Sequence, residues 1–187
     1  MGNICRSPMA ERLLVQAARE LVGAVADDLL HVHGAGTGGW HHGKPMDPSA
    51  ARQLRARGGD PGSFAARRLL AEYVDGSDLI LTATAEQADF VLGLRPDAGA
   101  RTFVLGELGR LLGKVDLESL PPVKPEPELV YARGVALVEA VDRARGGRRP
   151  LPGDDLDDPW GCGDATFARV ADEIEDTVRP FAAALLG

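Results

Sequence analysis

The run Gly2-Asn3-Ile4-Cys5-Arg6-Ser7-Pro8 commits the start of this chain to a tight turn that feeds directly into a helix. Gly and Asn accept the backbone angles that sharp turns demand. Ser7 reads as an N-cap, and Pro8 suits a first helical position, where an N–H is not needed. Met9, Leu13, Ala17 and Leu21 then recur at helical spacing. A turn of this kind gathers backbone N–H groups, a helix N-terminus and the Arg6 guanidinium around one point. Such a cluster suits an anion.

The rest of the chain alternates short apolar runs with helical patterns, which implies a parallel α/β sheet. Leu29 to His33 reads as a short strand ended by Gly34-Ala35-Gly36. A glycine-rich loop carrying Trp40-His41-His42 follows. Asp47-Pro48 opens a helix that closes at Gly58-Gly59, and a short helix is expected near Arg67–Val74. Asp78-Leu79-Ile80-Leu81-Thr82 is a continuous apolar run of the buried-strand type. A helix over 84–94 and a strand over Thr102–Leu105 come next. Segment 120–128, with Pro121, Pro122, Pro125 and Pro127, reads as an extended surface connector. A helix from about Glu128 to Arg145 precedes a loop rich in Gly and Arg. The last helix sets Phe167, Val170, Ile174, Val178, Phe181 and Leu185 on one stripe. There is no internal repeat and no shift in composition that would mark a second domain.

Composition narrows the class of function. With 187 residues the chain can bury a sizeable core, and its net charge of −7 argues against a general nucleic-acid binder. No apolar stretch approaches membrane-spanning length, so no membrane role and a cytoplasmic location are expected. Two cysteines, Cys5 and Cys162, make no disulfide framework. Cys162 reads as a buried or bystander thiol. His31 and His33 would share a strand face, but no carboxylate or Cys pattern completes a ligand set, so no metal is expected. Asp47-Pro48 and Asp60-Pro61 read as helix or turn starters. The basic cluster Arg145–Arg149 reads as a solvated turn.

The opening run resembles the low-molecular-weight protein tyrosine phosphatases, whose signature is Cys-X-Gly-Asn-X-Cys-Arg-Ser. Met1 stands at the first X. Asp157-Asp158-Pro159-Trp160 resembles the Asp-Pro-aromatic acid loop of that family. Ala35-Gly36-Thr37, Gly43-Lys44-Pro45-Met46-Asp47, Ala66-Arg67-Arg68-Leu69 and the strand at Asp78 also match. The likeness spans nearly the whole chain and is weakest over about 110–150.

The resemblance implies a single domain over 1–187 with a three-layer fold, a parallel sheet flanked by helices. Residues 115–150 are expected to be a connector or insertion within it. In this family a first strand, lying inside the sheet, precedes the loop. The chain is therefore expected to be an N-terminally truncated reading, without that strand and with the nucleophilic Cys one residue ahead of Met1. The loss would leave unpaired backbone groups on both neighbouring strands.

The resemblance also assigns roles. Gly2, Asn3, Ile4, Cys5 and Arg6 would bind phosphate, with Arg6 gripping two oxygens. Ser7 would hydrogen-bond the attacking sulfur, and Asn3 would hold the turn. Asp158 would be the general acid and then the general base. Trp40, His41 and Trp160 would line the substrate cleft. Cys5 matches the family's second cysteine, which protects the nucleophile by a reversible disulfide. It is not the nucleophile, because a Cys-X5-Arg pattern starting there would need Arg where Glu11 stands. Ile4 favours the tyrosine-directed branch over the arginine-directed one.

The expected substrate is a phosphorylated protein or a small aryl phosphate, with inorganic phosphate as product and no cofactor. Two alternatives stand beside hydrolysis through phosphocysteine. One is a non-catalytic phosphate or phosphoprotein binder, and the other is a thiol-based arsenate reductase.

Overall fold

A computed structural model describes residues 1–187. Its core is built from two long helices, α1 (Arg6–Val22) and α8 (Asp164–Leu186), packed along their length. Met9, Leu13, Ala17 and Ala18 of α1 are buried against Val170, Ala171, Ile174 and Val178 of α8. The small residues let the backbones approach, and the larger ones fill the seam. Helix α1 stops at Gly23, whose φ of +72° breaks the helical path.

Three further features position the sheet. Helix α2 (Ala26–Leu29) is a single turn. Helix α3 (Pro48–Ala56) is capped by Asp47, whose carboxylate accepts N–H bonds from Ser49 at 2.8 Å and Ala50 at 3.3 Å. Helix α4 (Ala71–Asp75) leads into strand β1 (Ile80–Thr82). Helix α5 (Ala85–Leu94) then crosses to strand β2 (Thr102–Val104), and the two strands pair in parallel with Leu81 opposite Phe103. Helix α6 (Leu105–Leu112) starts directly from β2, where the buried Glu107 carboxylate accepts the Val104 N–H. Burial pushes the Glu107 carboxyl above its ordinary pKa.

Helix α7 (Pro127–Arg145) closes the fold and ends on Gly146 in the left-handed region. Its Val130, Leu137 and Val141 are buried in the same core as α1 and α8, so residues 127–145 are part of the domain's packing. The proline-rich segment before α7 is tied down by Arg133, which donates to the carbonyls of Ala184, at 2.7 Å, and Pro121.

Several expectations need correction. The parallel sheet has two strands plus one isolated parallel bridge, Gly36 to Arg68. Leu29–His33 is not a strand: Leu29 ends α2, Leu30 is extended, and His31, Val32 and His33 make no backbone hydrogen bond. A strand exists only when a neighbour accepts its ladder, so apolar, β-prone residues alone do not make one. The strand expected at 78–82 is shortened to Ile80–Thr82, and Leu105 belongs to α6 rather than to β2. The helix near Arg67–Val74 begins only at Ala71. Helix α1 starts at Arg6 with no side-chain cap, so Ser7 is inside the helix and Pro8 is its third residue. Asp60 does start a turn, accepting the Gly62 N–H at 2.8 Å.

Truncating Ile174, which is fully buried between α1 and α8, should show how far this seam carries stability. Ile174→Ala is expected to lower unfolding stability by about 2–5 kcal/mol, read from the urea midpoint at unchanged slope.

Candidate active site

Asn3 sits in the left-handed region, with φ of +58°, and is 2% exposed. A non-glycine residue holds that conformation at a cost, so it needs fixing from outside. The Asn3 side chain supplies the fixing. Its Nδ2 donates to Ser7 Oγ at 2.9 Å, and its Oδ1 accepts the Arg67 N–H at 2.9 Å. The Ile4 carbonyl accepts the Asp47 N–H at 2.8 Å, and the Met1 carbonyl accepts the Gly38 N–H at 3.1 Å. The turn is thus stitched to three later segments of the chain.

Close approach explains the glycines around it. A Cβ on Gly36 would lie 2.2 Å from the Met1 carbonyl oxygen, and one on Gly2 would lie 2.3 Å from the His41 ring. The loop carrying Trp40 and His41 therefore lies directly over the turn. Their rings meet edge-on, 6.4 Å apart between centroids.

The amides of Gly2, Asn3, Ile4, Cys5, Arg6 and Ser7 donate no hydrogen bond within the protein, although Asn3, Cys5 and Arg6 are buried. Successive unpartnered N–H groups at the start of a long helix form an electropositive pocket. Arg6, 8% exposed, lines the same cavity as this turn. It donates from Nη1 to the Leu156 carbonyl and from Nη2 to Asp158 Oδ2, both at 2.9 Å. The second Asp158 oxygen accepts the Trp160 N–H at 3.2 Å. Residues 6 and 158, far apart in sequence, are direct neighbours in space.

The segment bearing Asp158 is held at several points that the sequence did not reveal. The Leu156 N–H donates to the Ala83 carbonyl at the end of β1, at 2.8 Å. Arg169 binds Asp157 at 2.7 Å, and Asp155 accepts the Ala85 N–H at 2.8 Å. Buried Asp154 binds Arg110 through both oxygens, at 2.9 and 2.6 Å. Burial opposes its ionisation, but Arg110 and the Leu151 N–H prevail and hold its carboxyl below the ordinary range. Its folded pKa is depressed, so this anchor contributes at neutral pH and is lost as pH falls through that lowered value. The run of four Asp between 154 and 158 gave no sequence signal to distinguish the anchors from Asp158.

Met1 through Ser7, Trp40, His41, Asp158 and Trp160 all line one cavity of about 580 Å³. Trp40 and Trp160 are 63% and 64% exposed, as walls of an open mouth would be. His31 and His33 lie further along the same cavity, with ring centroids 5.5 Å apart, and His33 meets Tyr73 edge-on. Burial, with His31 and Arg67 nearby, lowers the His33 pKa.

The two thiols differ sharply. Burial, reinforced by the Asp47 and Asp158 carboxylates, pushes the Cys5 thiol up to about 12. The thiolate, which is the reactive form, is thereby disfavoured at neutral pH. Of the two readings offered for Cys162, a buried or a bystander thiol, burial is excluded: it is exposed and lies beside the Asp158 carbonyl.

A loop of free amides at a helix N-terminus, with a buried Arg and an Asp paired across the mouth, is an arrangement suited to an anion. The model of the low molecular weight phosphotyrosine protein phosphatase family matches residues 1–140. The chain belongs to that family. It is 34% identical over 129 residues to the low molecular weight protein-tyrosine-phosphatase YfkJ of Bacillus subtilis, covering 68% of this chain and 76% of that protein. The fold is shared with the tyrosine phosphatase AmsI of Erwinia amylovora, with a TM-score of 0.66 and 21% identity over 99% of this chain and 88% of that one. It is also shared with Vibrio vulnificus Wzb in complex with benzylphosphonate, with a TM-score of 0.65 and 19% identity over 98% and 92% of the two chains.

Thiol labelling tests the contrast between the cysteines. With iodoacetamide at pH 8, Cys162 should alkylate readily in the folded protein, and Cys5 only after unfolding, as read by peptide mass spectrometry.

Proposed function

We propose that the turn Gly2–Ser7 and the Arg6 guanidinium bind the phosphoryl group of a phosphotyrosine side chain or a related aryl phosphate. The observation that carries this reading is the set of six consecutive unpartnered amides converging with a buried Arg at one helix N-terminus. Phosphoryl oxygens would take those donors, and the planar guanidinium would grip two of them. Trp40, His41 and Trp160 would flank the aryl group at the mouth. The benzylphosphonate held by the Vibrio relative has the same pairing of an aromatic ring with a phosphorus oxyanion.

In the catalytic form of this reading, a cysteine thiolate attacks phosphorus and the P–O bond to the aryl oxygen breaks. Asp158 gives its proton to that leaving oxygen. Water then attacks the phosphocysteine, Asp158 takes the water's proton, and inorganic phosphate and the thiolate are released. No cofactor is needed. Cys5 is too deeply buried and too weakly acidic for the part, and it would serve instead as a redox partner to that sulfur. Ser7, already bonded to Asn3, would stabilise the thiolate.

Residues 1–187 by themselves then act as a phosphate-binding unit. Arg6 is engaged by Asp158 before any ligand arrives, so an incoming anion must share or displace that carboxylate. The two acidic and basic groups are therefore coupled: what weakens the ion pair should help binding and harm catalysis.

Titration calorimetry with inorganic phosphate should show binding by residues 1–187, weakened by about tenfold or more in Arg6→Lys, which loses the bidentate fork. Asp158→Asn should tighten binding about fivefold, corresponding to about 1 kcal/mol of relieved repulsion. Turnover of p-nitrophenyl phosphate should be absent for residues 1–187. It should appear when a strand ending in Cys is joined ahead of Met1, and fall about 10²–10⁴-fold when Asp158→Asn is added. Turnover by residues 1–187, lost in Cys5→Ser, would overturn the assignment of Cys5.

A further inference from the structure

We propose that Lys44, Arg67 and Arg68, on the Trp40 side of the mouth, form a docking surface for carboxylates, so that the site takes a phosphotyrosine flanked by Glu or Asp side chains. The inference rests on the phosphoryl reading above and adds to it the class of peptide.

The mouth has two walls of opposite composition. Residues 34–70, which include the Trp40 loop, carry six Lys and Arg against two acids, Asp47 and Asp60. Residues 151–164, which include Asp158 and Trp160, carry five Asp and no Lys or Arg. In a chain of net charge −7, positive charge is thus gathered on one side of the opening.

Ion pairing then decides which charges are free. On the acidic wall Asp154, Asp157, Asp158 and Asp164 are held by Arg110, Arg169, Arg6 and Arg52 in turn. Asp155 accepts the Ala85 N–H. On the other wall Lys44, Arg67 and Arg68 enter no ion pair, although most arginines of the chain do. Lys44 and Arg68 are exposed, and Arg67 is half-buried. The acids of this wall are occupied: Asp47 caps α3, and Asp60 accepts the Gly62 N–H. Glu11, which lines the cavity, accepts the Gly34 N–H and pairs with Arg12.

Backbone bonds bring the three free cations together at the Trp40 loop. The Gly43 N–H donates to the Ala66 carbonyl at 2.7 Å, and the Ala66 N–H to the Lys44 carbonyl at 2.8 Å. The Gly36 N–H donates to the Arg67 carbonyl at 2.9 Å, and the Leu69 N–H to the Gly36 carbonyl at 2.7 Å. A Cβ on Gly39 would lie 3.3 Å from Arg68 Cδ, so the Arg68 stem runs along the backbone next to Trp40. Arg67 is felt inside the cavity: burial, then the charges of His31 and Arg67, lower the pKa of His33, which lines it.

A phosphate ion reaches only the turn and Arg6. A peptide carries chain beyond the aryl group, past the exposed rings of Trp40 and Trp160 and onto the walls. Carboxylates there meet three unpaired cations, whereas Lys or Arg there meet like charge. The opposite wall offers basic residues little in return, because its Asp are already held. An extended polyanion such as a nucleic acid is disfavoured by that acidic wall and by the net charge.

Titration calorimetry at low salt on residues 1–187 tests this. In the probes X is phosphonomethyl-phenylalanine, a non-hydrolysable stand-in for phosphotyrosine. The blocked peptides are Glu-Glu-Ala-X-Ala-Ala-Ala, Ala-Ala-Ala-X-Ala-Glu-Glu and the version with Ala at every position but X. The better acidic probe should bind about fivefold tighter than the Ala peptide, as two exposed ion pairs would give. The double substitution Lys44→Gln, Arg68→Gln should abolish that advantage and leave the binding of inorganic phosphate unchanged. Equal affinity for the three peptides, with phosphate still bound, overturns this proposal alone. Absence of phosphate binding by the unaltered chain overturns it together with the phosphoryl reading. An advantage that survives the double substitution overturns the assignment to these cations. Equal binding of the acidic probe with plain Tyr at X overturns it in favour of a patch separate from the site. Binding to phosphatidylglycerol vesicles that exceeds binding to the acidic probes, and is lost in the double variant, overturns it in favour of a lipid surface.

Discussion

The left-handed turn at Asn3 is the constraint on which the site depends. Its side chain ties the start of α1, through Ser7, to the segment at Arg67. With Asn3 held there, the amides on either side are turned away from any internal acceptor. The protein thereby keeps six donors unsatisfied in a partly buried place, which is costly unless an anion completes them. The same turn dictates Gly2 and Gly36, because nothing larger fits between it and its neighbours.

The rigid framework beneath the turn is helical. Helices α1 and α8 form a packed pair, and the loop bearing Asp158 leads into α8. Arg6 belongs to α1, so the two halves of the site ride on the two elements with the deepest contact. Side chains carried by a packed framework keep their separation. The ties from Asp154, Asp155, Leu156 and Asp157 to four different segments act in the same direction. Although the chain is acidic overall, positive potential is concentrated locally by Arg6 and the helix N-terminus.

The sequence was a good guide where short-range chemistry decides structure. The opening turn, the helix start at Asp47 and the stripe of α8 follow from local spacing, and so does the α1 stripe through Met9, Leu13 and Ala17, although Leu21 is exposed. It was a poor guide where structure needs a distant partner. Leu29–His33 carries strand-like residues, yet Leu29 closes a helix and His31, Val32 and His33 make no backbone hydrogen bond. Ser7-Pro8 looks like a helix start, yet the chain enters the helix at Arg6 because the turn ahead of it is held by contacts to residues 38, 47 and 67. Asp158 was singled out among its acidic neighbours by its Pro-Trp context, while the anchoring roles of Asp154 and Asp157 depended on Arg110 and Arg169, which no spacing rule connects to them.

Residue order alone determined the family and the opening turn, because that turn is made from contiguous residues whose turn and helix propensities act over a few bonds. Tertiary structure alone decided that Arg6 meets Asp158, that Cys5 is buried, and that β1 pairs along one edge. Each of these depends on which surfaces meet after the chain has folded back on itself. Burial and pairing are properties of that meeting and have no local signature.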